Sequence, residues 1–390
     1  MVNVILCVFV SLWLNAYEEE ESMKAITIVP GTTTIRLVDR EEPTIVTPDE
    51  IKIQMRCVGI CGTDREEVAG GRSLAPDGRN ELIIGHEMFG QVVEVGKGVT
   101  RVKPGDFAVF TDRRGCGECI PCGMNRSDMC NTGKFHERGI WGLDGFQTEY
   151  VVDKEQYVVC VPAELEPVGV LTEPLSVAEK AIDEAIRVQI ARLPDAQTTP
   201  DWLFERRCLV AGLGPIGLLA AVALSLRGAE VYGLDIVEPN SARPEWLEHI
   251  GGKYIDGRQV PVDRIDKSIG SMDLIFDATG VPKLEFNLLD ALAYNGVYVV
   301  TGIPGGDRPL EIPGAELMRQ LVLKNQLLLG SVNNPRAYFQ MAVDDLSMAQ
   351  LRWGDHIKKL ITNRYPYTEF VKPLTQHEAD EIKVVLEWKV

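Results

Sequence analysis

Three glycines within six residues separate an apolar run from a helical pattern in the second half of the chain. Residues 208–211 predict a buried strand, and residues 218–226 predict a helix. Between them lies the turn Gly212-Leu213-Gly214-Pro215-Ile216-Gly217. In this order, the glycines let a pyrophosphate approach the start of the helix. The turn therefore predicts a dinucleotide-binding domain built on a parallel, doubly wound sheet.

An acidic residue ends the next predicted strand. Asp235 lies 23 residues after Gly212, and Ile236 and Val237 follow it without an arginine. A carboxylate at this place accepts hydrogen bonds from a ribose 2′-hydroxyl and repels a 2′-phosphate, which favours NAD over NADP. Further strands of the same sheet are predicted at 272–277, 296–302 and 327–331.

Four cysteines occur within fifteen positions. Cys116, Cys119 and Cys122 are three residues apart, and Cys130 follows. Thiols at this spacing can surround one tetrahedral ion from a single loop, whereas two disulfides in so short a segment would be strained. The pattern predicts a structural zinc site, which is closed and performs no chemistry.

A second set of ligand types lies earlier in the chain. Cys61 follows a predicted strand, and His86 and Glu87 are adjacent after a loop rich in proline and glycine. A thiolate, an imidazole and a carboxylate are ligands of a catalytic zinc that keeps one position open. Alone, a single Cys and a single His are more often buried core residues. The cysteine cluster and the dinucleotide turn favour the metal site.

The composition bounds the class of protein. A chain of 390 residues is long enough for two domains, and its net charge of −17 offers no basic surface for nucleic acid. Nine cysteines, four of them clustered, favour reduced thiols and a soluble cytoplasmic protein without membrane association. Residues 1–22 hold an apolar run too short to span a bilayer and no Lys or Arg. They are interpreted as an upstream start or a tail packed on the surface.

The rest of the sequence predicts the elements on either side of the dinucleotide-binding domain. Short alternating runs, among them 51–59, 89–96 and 107–110, predict a β-barrel-like first domain. Glu173 precedes a predicted helix at 177–182, where it is either a metal or substrate ligand or a solvated acid favoured by the helix dipole. Residues 189–206 predict a polar loop. Residues 335–390 predict helix and then a strand at 382–387 that returns to the first domain.

With these residues assembled, the chain resembles the medium-chain zinc-dependent dehydrogenases, and within them the archaeal-type glucose (aldose) 1-dehydrogenases. The specific motifs are 113–116, 132–140, 144–146, 173–175 and 179–180. The resemblance implies an α/β protein with a GroES-like β-barrel catalytic domain and a Rossmann domain. The expected parts are an extension at 1–22, a catalytic domain at 23–185 with the zinc lobe, a Rossmann domain at 186–334 and a catalytic-domain return at 335–390.

The same resemblance implies roles for individual residues. Cys61, His86, Glu87 and Glu173 are expected at the catalytic zinc, with Thr63 hydrogen-bonded to the reacting hydroxyl. Asp112, Glu137 and Glu173 are expected to bind the sugar. The cofactor is expected to contact the turn 212–217 and Asp235, and its nicotinamide to be lined by Val300, Thr301, Gly302, Ser331, Val332 and Asn333.

The implied activity is NAD-dependent oxidation of a cyclic aldose at C1 to the lactone, by a homodimer or homotetramer. Two departures bear on it. Val177 stands where glucose dehydrogenases have a sugar-binding Asp, which keeps open a zinc-dependent polyol, alcohol or amino-alcohol dehydrogenase. Residues 235–237 stand where members that use NADP have Asn-Arg-Arg. A non-catalytic zinc- and nucleotide-binding protein is a further alternative.

Overall fold

The computed structural model describes residues 22–198, 201–261, 264–305 and 309–388. Apart from Ser22, the interpretation of residues 1–22 as an extension lies outside the described residues.

Residues 22–161 form mainly short strands, as their alternating pattern predicts. The predicted strands at 51–59, 89–96 and 107–110 are confirmed, with ends displaced by at most two residues. α1 (Gly62–Val68) and α2 (Ile120–Gly123) interrupt the strands. The strands are β1 (Ser22–Ile28), β2 (Ile35–Glu41), β3 (Glu50–Ile60), β4 (Leu82–Ile83), β5 (Glu87–Val95), β6 (Phe107–Phe110), β7 (Arg113–Arg114), β8 (His136–Arg138), β9 (Gly142–Leu143), β10 (Tyr150–Lys154) and β11 (Val158–Val161).

α3 (Thr172–Arg192) leads from these strands into a second sheet. It extends beyond the predicted helix at both ends and takes in the first residues of the predicted loop at 189–206. The proposed domain boundary between residues 185 and 186 falls inside this helix. The elements that follow are β12 (Arg207–Ala211), α4 (Pro215–Leu226), β13 (Glu230–Asp235), α5 (Ala242–His249), β14 (Lys253–Asp256), α6 (Ile265–Ile269), β15 (Met272–Asp277), α7 (Pro282–Leu288), β16 (Leu292–Val300), α8 (Gly314–Leu323) and β17 (Leu327–Gly330).

The second sheet is parallel throughout, with the strand order β14-β13-β12-β15-β16-β17. Residues 208–211 of β12 are completely buried, as expected for a central strand covered on both faces. The order reverses at β12, so a crevice opens beyond the carboxyl ends of β12 and its neighbours. The predicted doubly wound domain is confirmed.

The last part of the chain returns to the first sheet. It contains α9 (Arg336–Trp353), β18 (Ile361–Pro366), α10 (Val371–Thr375) and β19 (Lys383–Glu387). β19 pairs antiparallel with β3, which confirms the predicted return. The sequence analysis missed β18, which pairs parallel with β19 at the edge of the sheet.

The two sheets share one hydrophobic core. It includes Phe89 of β5, Leu175 of α3, Leu218 of α4 and Phe339 of α9. α3 packs against α4 and α9, and it also contacts β5 of the first sheet and β16 of the second, so both sheets hold it in place. Among the helices of the described residues, none is long and apolar enough to cross a membrane.

Candidate active site

Strand pairing brings the first ligand set together. Cys61 directly follows β3, His86 precedes β5, and the register pairs Gly59 of β3 with Glu87 of β5. A Cβ at position 59 would lie 2.0 Å from Glu87 Oε2, so a larger residue there would displace this carboxylate. One ligand atom each from Cys61, His86 and Glu87 lie within 4.8 Å of one another.

Negative charge surrounds this group. The Asp64 carboxylate accepts a hydrogen bond from the Cys61 backbone N–H at 2.7 Å, and its second oxygen lies 3.6 Å from His86 Nδ1. Burial lowers the pKa of His86, but the charges of Asp64 and Cys61 outweigh burial and raise it well above its usual value. A thiol, an imidazole and several buried carboxylates in contact are a donor set that fits a divalent cation.

Glu173 lies beside this group but outside it. It is the second residue of α3 and only 7% exposed, so the interpretation as a solvated acid is wrong. Burial raises the pKa of Glu173, and the negative charges of Glu87 and Asp112 add to this, against the opposing charge of His86. Val177 follows one helical turn later on the same face of α3.

Asp112 and Glu137, which are expected to bind the sugar, both contact Asn333, which is expected near the nicotinamide. Asn333 Nδ2 donates to Asp112 Oδ2 at 2.5 Å and lies 3.3 Å from Glu137 Oε1. Glu137 also accepts two hydrogen bonds from the buried Arg113, at 3.0 and 2.6 Å. The second oxygen of Asp112 is buried and has no hydrogen-bond partner among the described residues. Thr63 lies on the metal side, with its hydroxyl 3.9 Å from Cys61 Sγ.

The four-cysteine lobe forms a separate cluster. One sulfur from each of Cys116, Cys119, Cys122 and Cys130 lies within 4.8 Å of the others. Cys116 Sγ and Cys122 Sγ are 3.9 Å apart, far beyond a disulfide and close to the edge of a tetrahedron with Zn–S bonds of about 2.3 Å. The hydroxyl of Thr132 and backbone N–H groups lower the pKa of Cys130 to about 6. The lobe therefore fits a structural zinc.

The glycine-rich turn has the geometry that a pyrophosphate requires. Gly212 has a φ of +85°, and a Cβ at Gly217 would lie 1.8 Å from the Gly212 carbonyl oxygen. In contrast, the space beside Gly214, which caps α4, is open. Asp235 Oδ2 accepts a hydrogen bond from Leu213 N at 2.8 Å, which fixes the acid beside the turn. These residues fit a dinucleotide.

The remaining expected cofactor residues follow neighbouring strands. Val300 ends β16, and Thr301 and Gly302 each donate a backbone N–H to the Asp277 carbonyl oxygen. Ser331 follows β17, although the sequence analysis counted it as part of the strand. Lys180 Nζ donates to the Val332 carbonyl oxygen at 2.8 Å and so ties this segment to α3. All of these residues lie at the carboxyl edge of the parallel sheet.

Comparison with known proteins decides the family. Residues 47–163 match the family model for the alcohol dehydrogenase GroES-like domain, and residues 166–388 match the one for the glucose dehydrogenase C-terminus. The chain belongs to the glucose 1-dehydrogenase family of medium-chain zinc-dependent dehydrogenases. The predicted resemblance and fold class, a GroES-like domain with a Rossmann domain, are thereby confirmed.

Individual family members match nearly the whole chain. Glucose 1-dehydrogenase 2 of Vulcanisaeta moutnovskia is 38% identical over 368 residues, which are 94% of this chain and 99% of the relative. Glucose 1-dehydrogenase of Thermoproteus tenax is 37% identical over 369 residues, with the same coverage. The structure of Haloferax mediterranei glucose dehydrogenase in complex with NADP, Zn and gluconolactone has a TM-score of 0.84 and 30% identity. That match covers 94% of this chain and 100% of the other.

Lys383 lies at the candidate site, although no motif in the sequence singled it out. It lies on β19, is 2% exposed, and its ammonium contacts both Glu87 oxygens at 2.7 and 2.5 Å. It also donates to the Ile60 carbonyl oxygen at 3.2 Å. Glu87 thus already has one cationic partner. The signal in the sequence was a lysine within the apolar strand 382–386, which is costly to bury unless paired.

Arg243 is the second residue that was missed. Its Nη1 lies 3.7 Å from Asp235 Oδ2, and its other nitrogens donate to the Glu381 carbonyl oxygen at 3.3 and 3.0 Å. Although no arginine directly follows Asp235 in the sequence, Arg243 supplies a positive charge beside it. Arg243 lies in the first turn of α5, and the fold places it beside the Asp235 carboxylate. No sequence motif predicted this contact.

Proposed function

We propose that this chain is a zinc-dependent dehydrogenase that oxidises a cyclic aldose at C1 to the lactone and prefers NAD to NADP. The observation that carries the proposal is the cluster of Cys61, His86 and Glu87 beside the buried carboxylates of Asp112 and Glu173. A metal-ligand group and free acceptors for hydroxyls lie together there, at the carboxyl edge of a dinucleotide-binding sheet.

The family supports the same chemistry. Relatives that are 34–38% identical over 94% of this chain carry the name glucose 1-dehydrogenase. The Haloferax mediterranei protein was crystallised with Zn, NADP and gluconolactone, which is a sugar lactone. The present chain would therefore catalyse the same class of reaction.

Cys61, His86 and Glu87 would hold the catalytic zinc, with Glu173 beside it, and the bound ion would supply a Lewis acid for the C1 hydroxyl. The Thr63 hydroxyl would hydrogen-bond the reacting hydroxyl and take part in removing its proton. Cys116, Cys119, Cys122 and Cys130 would hold the structural zinc.

Two carboxylates would orient the sugar. The free oxygen of Asp112 would accept a hydrogen bond from a sugar hydroxyl, and Glu137 would accept another. Asn333 bridges both acids, so residues 331–333 would position the sugar relative to the nicotinamide. The nicotinamide accepts the hydride when bound, while the protein contributes orientation and fixed charge.

The preference for NAD rests on Asp235. Its carboxylate is held by the N–H groups of Leu213 and Ile236, at 2.8 and 2.6 Å, and would accept from the ribose 2′-hydroxyl. The same negative charge would repel a 2′-phosphate. Arg243 weakens this repulsion, so we expect a preference rather than an exclusion of NADP.

Val177 supports a second candidate, a polyol or alcohol dehydrogenase on the same scaffold. An apolar side chain one turn after Glu173 removes a hydroxyl acceptor at the place where the family's glucose dehydrogenases have an Asp. Such a site would favour a substrate with fewer hydroxyl groups near α3.

The proposal is tested by measuring initial rates with NAD on a panel of substrates. The panel contains glucose, galactose, xylose, arabinose, simple alcohols and polyols. Turnover of aldoses with silent alcohols is expected, whereas turnover of alcohols or polyols alone would select the second candidate. Metal analysis separates both from a non-catalytic scaffold, because an enzyme should hold two zinc ions per chain and a scaffold one.

A further inference from the structure

A second cavity lies apart from the candidate active site. It has a volume of about 410 Å³ and lies between the cysteine lobe and the start of α9. The lobe contributes Asn125 and Ser127, while Pro335, Arg336 and Ala337 form the opposite wall. Its size falls within the usual range for small-molecule sites, and the expected ligands of sugar and dinucleotide do not line it.

Two arginines, the exposed Arg101 and the partly buried Arg336, line this cavity without forming a salt bridge to any described residue. Neither Arg101 nor Arg336 has a carboxylate within 4.0 Å among the described residues. The nearby Glu155 uses its Oε1 for the backbone N–H groups of Thr100 and Arg101, at 2.5 and 2.6 Å. The chain has 57 Asp and Glu against 40 Lys and Arg, so two guanidinium groups that line one cavity are a local excess of positive charge.

The two positive charges are close enough to affect each other. Burial lowers the pKa of Arg336, and the charge of Arg101 lowers it further. Among the described residues, the Glu155 carboxylate attracts Arg101, but no carboxylate bridges the two guanidinium groups to relieve their repulsion. An anion between the guanidinium groups would do so, since arginine recognises oxyanions through paired N–H donors.

The start of α9 adds donors to the same wall. The helix has 18 residues, its first turn contains no acid, and Pro335 provides no side-chain cap. The first N–H groups of a helix lack intrahelical acceptors and carry partial positive charge. Because Pro335, Arg336 and Ala337 line the cavity, these donors lie beside the arginine pair.

We propose that this cavity binds the phosphate group of a small phosphorylated molecule. Arg101 and Arg336 hold the phosphate oxygens, the start of α9 donates backbone N–H groups, and Ser127 and Asn125 offer a hydroxyl and an amide. The cavity is larger than one phosphate group needs, so a small organic part fits beside it.

Calorimetric titration of the zinc-loaded protein tests the proposal, with inorganic phosphate and glucose 6-phosphate as probes at constant ionic strength. Saturable binding of one probe molecule per chain is expected. Arg101→Ala and Arg336→Ala should each weaken it at least about tenfold, since hydrogen bonds to charged groups are lost. Ala337→Asp should weaken it similarly, because an acid in the first turn suits the helix but repels phosphate.

The matched control is Arg319→Ala, which removes an exposed arginine on α8 and should leave binding unchanged. Zinc content is measured for each variant, because Cys122 borders the cavity. Absence of saturable binding would overturn the proposal. So would binding that survives all three substitutions, which would locate phosphate elsewhere, or equal weakening in the control, which would show only general screening.

Discussion

The two cysteine-containing clusters of this chain are built in opposite ways. The lobe takes four thiols from fifteen consecutive positions, whereas the Cys61 cluster lies at the ends of β3 and β5 and is bordered by Glu173 of α3 and Lys383 of β19. The Glu87 carboxylate and the Lys383 ammonium that donates to it are 296 residues apart in the chain. A closed site of identical ligands needs only local chain geometry, while an open site with mixed charges needs a folded frame to set distances and charge.

Removal of Cys61 should have the largest effect on activity. We expect Cys61→Ala to lower kcat by about a thousandfold or more, because the Lewis acid contributes several kcal/mol to the barrier. Zinc content should fall by one ion per chain while the fold is retained. The exposed Cys160→Ala serves as the control, and a fully active Cys61→Ala enzyme would contradict the assignment of the open site.

The lobe should respond in the opposite manner. We expect Cys119→Ala to release the other zinc and to lower the melting temperature by about 5–10 °C, because bound structural metal contributes folding free energy. The kcat of the molecules that remain folded should change little. Calorimetry and rates on the same sample measure both, and a collapse of kcat without a shift in Tm would remove the distinction between the two clusters.

Lys383 places a buried positive charge against a carboxylate of the Cys61 cluster. Lys383→Met leaves Glu87 as a buried carboxylate without its ammonium partner, which should cost about 3 kcal/mol of unfolding free energy in chelator-treated protein. In zinc-loaded protein the loss should be smaller, since the metal supplies positive charge. Urea unfolding of mutant and wild type under both conditions measures this, and equal losses would mean that Glu87 does not face the metal.

The cofactor preference should show the smallest effect. Asp235→Ala should reduce the selectivity for NAD over NADP by about tenfold, because one repulsive and hydrogen-bonding group is lost. Arg243→Ala should shift selectivity the other way, toward NAD. Fluorescence titrations with NADH and NADPH report this independently of turnover. Arg258→Ala is the control, since its guanidinium pairs with Glu238 and Asp256 on the same edge. An unchanged ratio in both test variants would contradict the assigned adenosine site.

Much of the fold was predictable because its signals are local. The alternating strand at 51–59, the fully apolar strand at 208–211 and the turn at 212–217 each carry their own pattern. β18 was not predicted, because it is an edge strand with polar residues such as Asn363 and Arg364. The length of α3 was underestimated because polar and apolar residues mix near its carboxyl end.

The cysteine lobe and the dinucleotide turn could be located from the sequence because their spacings are short, and the types of metal ligand because their chemistry is specific. The contacts of Lys383 with Glu87, of Asn333 with Asp112 and Glu137, and of Arg243 with Asp235 became visible only in the folded chain. The reason is physical. These contacts depend on strand register and helix packing between distant segments, and each joins residues whose types carry no signal until the fold has placed them together.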